Sequence, residues 1–367
     1  MAVHIFVPRW MDRTNTNAQN SNAKALLSRF RDPRAHWTAV RSEAPAEAIQ
    51  ENGIETIALF SSRWWELRLA LAYQSKFDAI FYTGPHWSDE IGLRIRHVFG
   101  RKIPVIATIE GLITDRDTVQ RLSHLFGHPV FSEPFAEPGI PRLRWMYDAA
   151  DHIIAISPFL ARAGRFLYGD KVSWLPLGLE SRIFHSLGRQ EPTFCRVVGC
   201  GSVKARKNPQ IFLRLAELYK EANFVWFGDG VMRKPLIAQA QKMNLMNVFF
   251  PGPIQPADLA QEFRNSSVFV LPSYAEGVPK VTNEAAACGL PIVLNGFYEA
   301  TTVVHNHNGL VAWSDEELIE HVGTLIQNPD ARATMGQRGA EMAKEWDWDR
   351  IAPQWEDLVI RMATSRK

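Results

Sequence analysis

The sequence predicts an α/β protein of two doubly wound parallel-sheet domains. Three observations carry that expectation. Short β-branched or apolar runs alternate with longer amphipathic segments along nearly the whole chain, the scheme restarts after a polar stretch at Ser181–Pro192, and 367 residues is about twice an ordinary domain length.

In the first half the strand-like runs are His4–Pro8, Trp37–Arg41, Thr56–Phe60, Ala79–Thr83, Val105–Ile109, Ile153–Ser157 and Val172–Leu175. Helical patterns fall between them at Asn20–Arg31, Trp64–Lys76, Ser88–Phe99, Pro141–Ala150 and Pro158–Tyr168. In the second half the strands are Arg196–Cys200, Phe224–Phe227, Val248–Phe250, Val268–Leu271, Ile292–Leu294 and Leu310–Ala312. The helices there are Pro209–Glu221, Met232–Met243, Ala257–Arg264, Pro279–Cys288 and Asp315–Gln327. The expected domains are residues 1–180 and 190–346, with 347–367 joining the first as a C-terminal helix. Such sheets bind ligands at the carboxyl ends of their strands, here in a cleft between the domains. Gly111–Gly139, rich in Pro, Gly, His and Phe, shows no clear period. It reads as a functional loop over that cleft, or as a packed excursion.

Composition narrows the function. Apolar residues are 46% and charged residues 22%, a globular balance with enough apolar mass for two cores. Lys plus Arg exceed Asp plus Glu by only two, so no nucleic-acid partner is expected, whereas a small anion held by a few local cations fits. Cys195, Cys200 and Cys288 are odd in number without C-x-x-C spacing, which predicts structural thiols in a reducing compartment. Residues 1–8 lack the form of a signal peptide, and no run approaches the roughly 18 apolar residues of a membrane span. A cytoplasmic protein is expected, with at most a peripheral contact at the inner membrane face.

The most informative stretch runs from Pro272 to Pro291 and carries Glu276-x7-Glu284 just after a buried strand. Pro279 suits the first helical position, because its φ is preset and its missing N–H would be unpaired there. Gly289 and Pro291 stop the helix. The helix tip then offers free amides, a setting that favours phosphate. Carboxylates before and inside that helix can accept from hydroxyls at two places on an extended ligand, as a nucleotide sugar presents them. An isolated pair so spaced would more simply cap the helix and face water.

In this setting the stretch resembles the donor-site signature of the retaining glycosyltransferases of family 4, which have the GT-B fold. Gly199-Cys-Gly-Ser-Val-Lys-Ala-Arg-Lys-Asn208 resembles the family's glycine-rich loop ahead of the first donor-domain helix. Val225–Gly230 resembles its Gly-Asp-Gly turn, Phe249–Pro253 its base-side loop, and Trp348 the tryptophan opening a helix that crosses back to the first domain. The match is good over about 175–367 and one of layout before that. The resemblance implies two Rossmann-like domains and a nucleoside-diphosphate-sugar substrate, without cofactor or metal. It implies Lys207 on the diphosphate, Glu276 on sugar hydroxyls as a catalytic group, and Glu284 on the ribose. Gly277, Val278, Pro279 and Lys280 would contact phosphate or sugar, with Gly201, Ser202, Lys204, Arg206, Gly228, Pro253 and Ile254 completing the donor site. The family commonly has arginine where this chain has Ser202; Lys204, Arg206 or Lys280 could supply that charge.

On the acceptor side Glu110 stands where family members often carry histidine, and is either a catalytic or acceptor contact or a loop carboxylate paired with Arg116. His86 is the rival after another strand. Arg9, Arg13 and Asn17 occupy a loop that often holds glycines in the family. Asp115-Arg-Asp117 and Asp347-Trp-Asp349 invite a metal reading, but an arginine divides the first and the second fits a helix cap. The Arg63-Trp64-Trp65-Arg68 and Arg142-Arg144-Trp145 clusters suit either a membrane interface or helix packing. The expected function is transfer of a sugar, with retention, from a nucleoside-diphosphate sugar to a glycan or lipid-linked acceptor in cell-surface polysaccharide or glycolipid synthesis. Alternatives are a nucleotide-sugar epimerase of the same architecture and a non-catalytic sugar-nucleotide binder.

Overall fold

The computed structural model describes residues 2–10, 18–41, 49–51, 54–58, 77–84, 93–94, 103–131 and 139–365. The chain divides into two compact units. One comprises Met1–Asp115, Pro134–Gly178 and Trp348–Lys367; the other comprises Arg116–Glu133 and Leu179–Asp347.

The first unit holds an eight-stranded sheet: β1 Val3–Trp10, β2 Ala35–Arg41, β3 Ile49–Glu51, β4 Ile54–Ala58, β5 Ala79–Tyr82, β6 Val105–Ile109, β7 His152–Ala155 and β8 Val172–Trp174. Their order is β3-β4-β2-β1-β5-β6-β7-β8, parallel except for the short edge strand β3, which runs antiparallel to β4. Strand β3 was not expected, having only three residues and no alternation to read. Strands β5 and β6 are buried at every position, as expected for a parallel sheet covered on both faces. Helix α1, Ala18–Leu27, follows β1. The helices expected over 64–76 and most of 88–99 lie outside the described residues.

The second unit holds a six-stranded, wholly parallel sheet: β9 Arg196–Cys200, β10 Asn223–Phe227, β11 Val248–Gly252, β12 Val268–Leu271, β13 Ile292–Asn295 and β14 Gly309–Ala312. Its order is β11-β10-β9-β12-β13-β14. The chain leaves the centre in one direction, then crosses back beside β9 to run in the other. The point of reversal therefore lies between β9 and β12, the position at which sheets of this kind commonly form a ligand crevice. Lys207 follows β9 and Glu276 follows β12.

Two helices depart from expectation. Arg116–Phe126 forms α2 inside the stretch expected to be irregular, and it groups with the second unit. Only Thr118 and Leu122 of this helix are buried, yet Val119, Leu122 and Phe126 recur at helical spacing, a signal that could have revealed it. Helix α10, Pro329–Ala343, was also unforeseen. It begins where the Asn328 side chain accepts from the Ala331 N–H at 2.9 Å and Pro329 takes an early helical position. The remaining helices are α3 Gly139–Ala149, α4 Pro158–Tyr168, α5 Ile211–Leu218, α6 Arg233–Lys242, α7 Pro256–Arg264, α8 Lys280–Ala287, α9 Asp315–Gln327 and α11 Trp348–Thr364.

Helix α11 belongs to the first unit. Trp348 and Trp355 are fully buried, and the Trp355 indole donates to Pro176 O at 2.7 Å. Glu356 is buried too, and its carboxylate accepts from Arg31 N, Asp32 N (each 2.9 Å) and Trp37 Nε1 (3.2 Å). A buried carboxylate survives only with such partners, so Glu356 pins the helix to the β1–β2 side of its sheet. Among the described residues no helix is long and apolar enough to cross a membrane.

Candidate functional site

The loop after β9 is shaped by contact with the loop after β10. Gly201 N donates to Phe227 O and Val203 N to Asp229 O, both at 2.9 Å. Trp226 Nε1 donates to Gly201 O at 3.0 Å. Gly228, at φ +131°, lies so close that a Cβ there would stand 2.0 Å from Gly201 O. Backbone cannot move aside as a side chain can, so only glycine fits. Gly228→Ala is therefore expected to cost on the order of 2–3 kcal/mol of stability and to misplace the β9 loop. Denaturant unfolding checks this, and an unchanged midpoint at unchanged slope would refute the close approach.

Past Gly201 the chain makes a short 3-10 turn, Ala205–Lys207, and Asn208 then takes a left-handed conformation at φ 50°. Asparagine tolerates that region better than most residues, and here the buried Asn208 Nδ2 donates to Asp315 Oδ1 at 3.0 Å. The turn directs Lys207 back along Gly201, with Lys207 Cε 3.5 Å from where a Gly201 Cβ would stand.

The loop after β12 comes to meet it. Asn295 Nδ2 holds it from below, donating to Pro272 O at 2.8 Å and Ser273 O at 3.3 Å, and Tyr274 N donates to Arg206 O at 3.0 Å. Glu276, 7% exposed, is then placed between two cations: Lys207 Nζ on Oε1 at 2.5 Å and Arg206 Nη1 on Oε2 at 3.3 Å. Arg206 also donates to Ala275 O. Burial pushes the Glu276 carboxyl up, but Lys207 and Arg206 together outweigh it and hold the group below the usual carboxylate range. Two cations and one carboxylate leave a net positive charge in the crevice, suited to an anion.

The helix beyond starts one residue later than expected. Pro279, at φ −74° and ψ 86°, is outside the helical region and serves as the cap, with α8 opening at Lys280. Thr282 N and Oγ1 both donate to Pro279 O, at 2.8 and 2.7 Å. Among the described residues no protein acceptor takes the amides of Gly277, Val278 or Lys280. Gly289, at φ +83°, ends the helix region, its N–H donating to Ala286 O at 2.8 Å.

Glu284 lies one turn after Lys280 on the same face. Among the described residues no protein donor pairs with its carboxylate, and burial raises its pKa against the pull of Lys280. The Cys200 thiol is pushed up to about 12, mainly by burial and further by Glu284, with Lys207 pulling the other way. A raised carboxyl favours the folded state below its unfolded value, and that benefit is lost as pH rises through the folded value. Ionised Glu284 therefore costs stability at neutral pH. Glu284→Gln is expected to raise the Tm of the ligand-free protein at pH 7 by about 2–4 °C, a gain that shrinks on acidification. The same change is expected to weaken nucleotide-sugar binding about tenfold. Thermal melts with and without ligand check both signs.

The other expected site residues are distributed as follows. Ser202 is half-buried, and its carbonyl accepts from Lys204 N at 2.9 Å. Lys204 is exposed on the β9 loop, and Lys280 is half-buried at the helix start. Of the three cations that could stand in for an arginine at Ser202, Arg206 is the one ion-paired with Glu276. Pro253 is exposed and Ile254 half-buried after β11, tied to the crevice through Gly228 N donating to Gly252 O at 2.8 Å. Glu110 is half-buried at the end of β6 in the first unit. Arg9 is the penultimate residue of β1, while Arg13, Asn17 and His86 lie outside the described residues. Asp115 stands 3.5 Å from Arg144, Asp347 accepts from Ser181, and Asp349 pairs with Arg29 at 2.5 Å, so each of these acids has a protein partner. Arg94 lies over the Trp145 ring at 4.3 Å, within the first unit's packing; the Arg63–Arg68 cluster lies outside the described residues. Cys288 is buried, with its thiol raised to about 12 by burial, and Cys195 and Cys200 are half-buried.

Comparison with known proteins identifies the family and the fold. A model of the family described as glycosyl transferases group 1 matches residues 191–342, and one of glycosyltransferase family 4 matches residues 2–181. The alpha-galactosylglucosyldiacylglycerol synthase of Streptococcus pneumoniae is 28% identical over 254 residues, covering 66% of this chain and 62% of that protein. The chain thus spans less than two thirds of that relative. Among solved structures, sucrose-phosphate synthase from Thermosynechococcus elongatus superposes with a TM-score of 0.78 at 18% identity, covering 99% of this chain and 100% of that one. HepE of Anabaena in complex with UDP gives 0.73 at 16%, covering 98% and 99%. These likenesses show a GT-B fold. With one model matching each half, the chain belongs to the family 4-like glycosyltransferases of GT-B architecture.

Proposed function

We propose that this protein moves a sugar from a nucleoside-diphosphate sugar to a glycan or lipid-linked acceptor, with retention of configuration and without a metal ion. The observation that carries the reading is the Glu276–Lys207–Arg206 cluster at the reversal point of the second sheet. Departure of a nucleoside diphosphate develops negative charge on a phosphate oxygen. Lys207 and the open amides of Gly277, Val278 and Lys280 supply positive charge that needs no reorganisation, which is where fixed dipoles act best. Each Glu276 oxygen retains a lone pair beyond its cation contact, so the carboxylate can accept from sugar hydroxyls while remaining paired. Glu284 offers its unpaired carboxylate to the ribose diol. Retention then proceeds by substitution on one face of the sugar, the leaving phosphate oxygen taking the acceptor's proton as the new glycosidic bond forms.

The glycolipid synthase of Streptococcus pneumoniae supports a lipid-linked acceptor, and the UDP of the HepE complex places UDP-sugars first in a donor panel. Thermal-shift screening of UDP-, GDP-, ADP- and TDP-sugars is expected to single out one nucleotide, since a bound donor stabilises the folded state by mass action. Mass spectrometry and NMR with that donor and lipid or glycan acceptors in chelator-treated buffer then read transfer and anomeric configuration. Interconversion of the donor without an acceptor would establish the epimerase instead, and binding without turnover the non-catalytic binder.

A further inference from the structure

The segment Arg116–Glu133 leaves β6 of the first sheet, groups with the second unit, and returns to α3. Its described end is fastened to three loops of that unit. His128 Nε2 meets Glu299 Oε1 at 2.8 Å, and the His128 ring lies 4.9 Å from that of Trp313. Phe131 packs on Tyr274 at 5.7 Å and edge-on to Phe297 at 5.1 Å. Tyr274 and Phe297 are themselves stacked at 6.2 Å, and Phe297 meets Trp313 at 6.0 Å. The rings thus form one continuous layer joining the segment to the loops after β12, β13 and β14.

Two features give this layer a bearing on the donor site. Tyr274 is two residues from Glu276, and its own N–H bonds Arg206 O, so whatever fixes Tyr274 fixes both partners of the ion pair. Glu299, the residue His128 holds, is a non-glycine residue at φ 44°, a conformation that needs support from its surroundings. We propose that Phe131 and His128 are positioning residues: they brace the Ser273–Pro279 loop from outside, keeping Glu276 and Arg206 in register for the donor. Phe131 is 40% exposed, so it adds little to the core and its role is local. This inference rests on the donor-site reading above and adds to it a determinant supplied by the first half of the sequence.

Phe131→Ala and His128→Ala test it, with Phe131→Tyr as the variant that keeps the ring. Hydrogen exchange of the Ser273–Lys280 amides, measured without ligand, is expected to quicken in both alanine variants, while exchange in the second unit's strands and the melting temperature stay as in the parent. Donor kcat/KM is expected to fall about ten- to a hundredfold through KM, because small displacements of a binding carboxylate are costly, and Phe131→Tyr is expected to restore it. Unchanged loop exchange overturns the brace, as does faster exchange with donor KM unaltered. Failure of the parent itself to bind any nucleotide sugar overturns the donor reading instead, a result read on a separate measurement from loop exchange.

Discussion

Lys207→Ala is expected to lower kcat/KM for sugar transfer by about 10²–10³-fold, the largest loss of any single substitution in the crevice alongside that of Glu276. The Lys207 side chain is 12% exposed, so its charge acts where water screens poorly. In the ligand-free protein that charge is neutralised by Glu276; under the proposed function it faces, with donor bound, a diphosphate whose negative charge grows as the sugar departs. Alanine removes a contact that strengthens in the transition state, and kcat falls along with donor affinity. Lys207→Arg is expected to recover only part of the loss, since a planar fork at the end of a 3-10 turn cannot occupy the position of a compact ammonium beside Gly201. Steady-state kinetics at saturating acceptor, paired with calorimetric donor binding, make the measurement. A kcat/KM within threefold of the parent would remove Lys207 from the mechanism.

The second unit was legible because its strands, turns and spaced acids lie in contiguous stretches. Buried parallel strands read as unbroken apolar runs, so β12 and β13 were expected at Val268–Leu271 and Ile292–Leu294, within one residue of where they lie. The loop and helix from Pro272 to Pro291 announce themselves by proline, glycine and two spaced acids. The pairing of Lys207 and Arg206 with Glu276 was not legible. Lys207 lies 69 positions from Glu276 and Arg206 one further, and nothing local in either stretch states that both cations turn inward. Nor did any pattern distinguish Arg206 from Lys204, since the difference arises from the 3-10 turn, which holds Arg206 and which Lys204 precedes.

Elements whose stability comes from tertiary contact were the least readable. Helix α2 buries two side chains, and its docking depends on His128 and Phe131 meeting residues more than a hundred positions away. Helix α10 did carry a readable signal in Asn328–Pro329, an N-cap followed by the residue best suited to the first turn. Nothing in the sequence around Glu356 marks it out; only the fold reveals that it sits buried against two backbone amides and an indole. Pro279 shows the limit of positional rules, because ψ 86° carries the chain into the helix from an extended turn that a proline at the first helical position could not make.

Glu276→Gln is expected to separate sugar transfer from nucleotide binding. Glutamine keeps the shape and one acceptor but leaves Lys207 and Arg206 uncompensated in a place where Glu276 was 7% exposed. The ligand-free protein is therefore expected to lose on the order of 3 kcal/mol. The pH dependence has a fixed sign. The depressed Glu276 carboxyl contributes stability present above its unfolded value and lost as pH falls through its folded value, so the gap between parent and variant is full at neutral pH and closes in acid. The two freed cations, however, are the groups a diphosphate seeks. UDP alone is expected to bind the variant at least as tightly as the parent, while transfer from a UDP-sugar falls about 10²–10³-fold, because the neutral amide accepts weakly from the sugar hydroxyls that a charged carboxylate orients. Calorimetry with UDP and turnover with the matching sugar donor measure the two effects independently. If UDP affinity falls in step with turnover, Glu276 serves to hold Lys207 for the phosphate rather than to hold the sugar, and the division of labour proposed for the crevice is wrong.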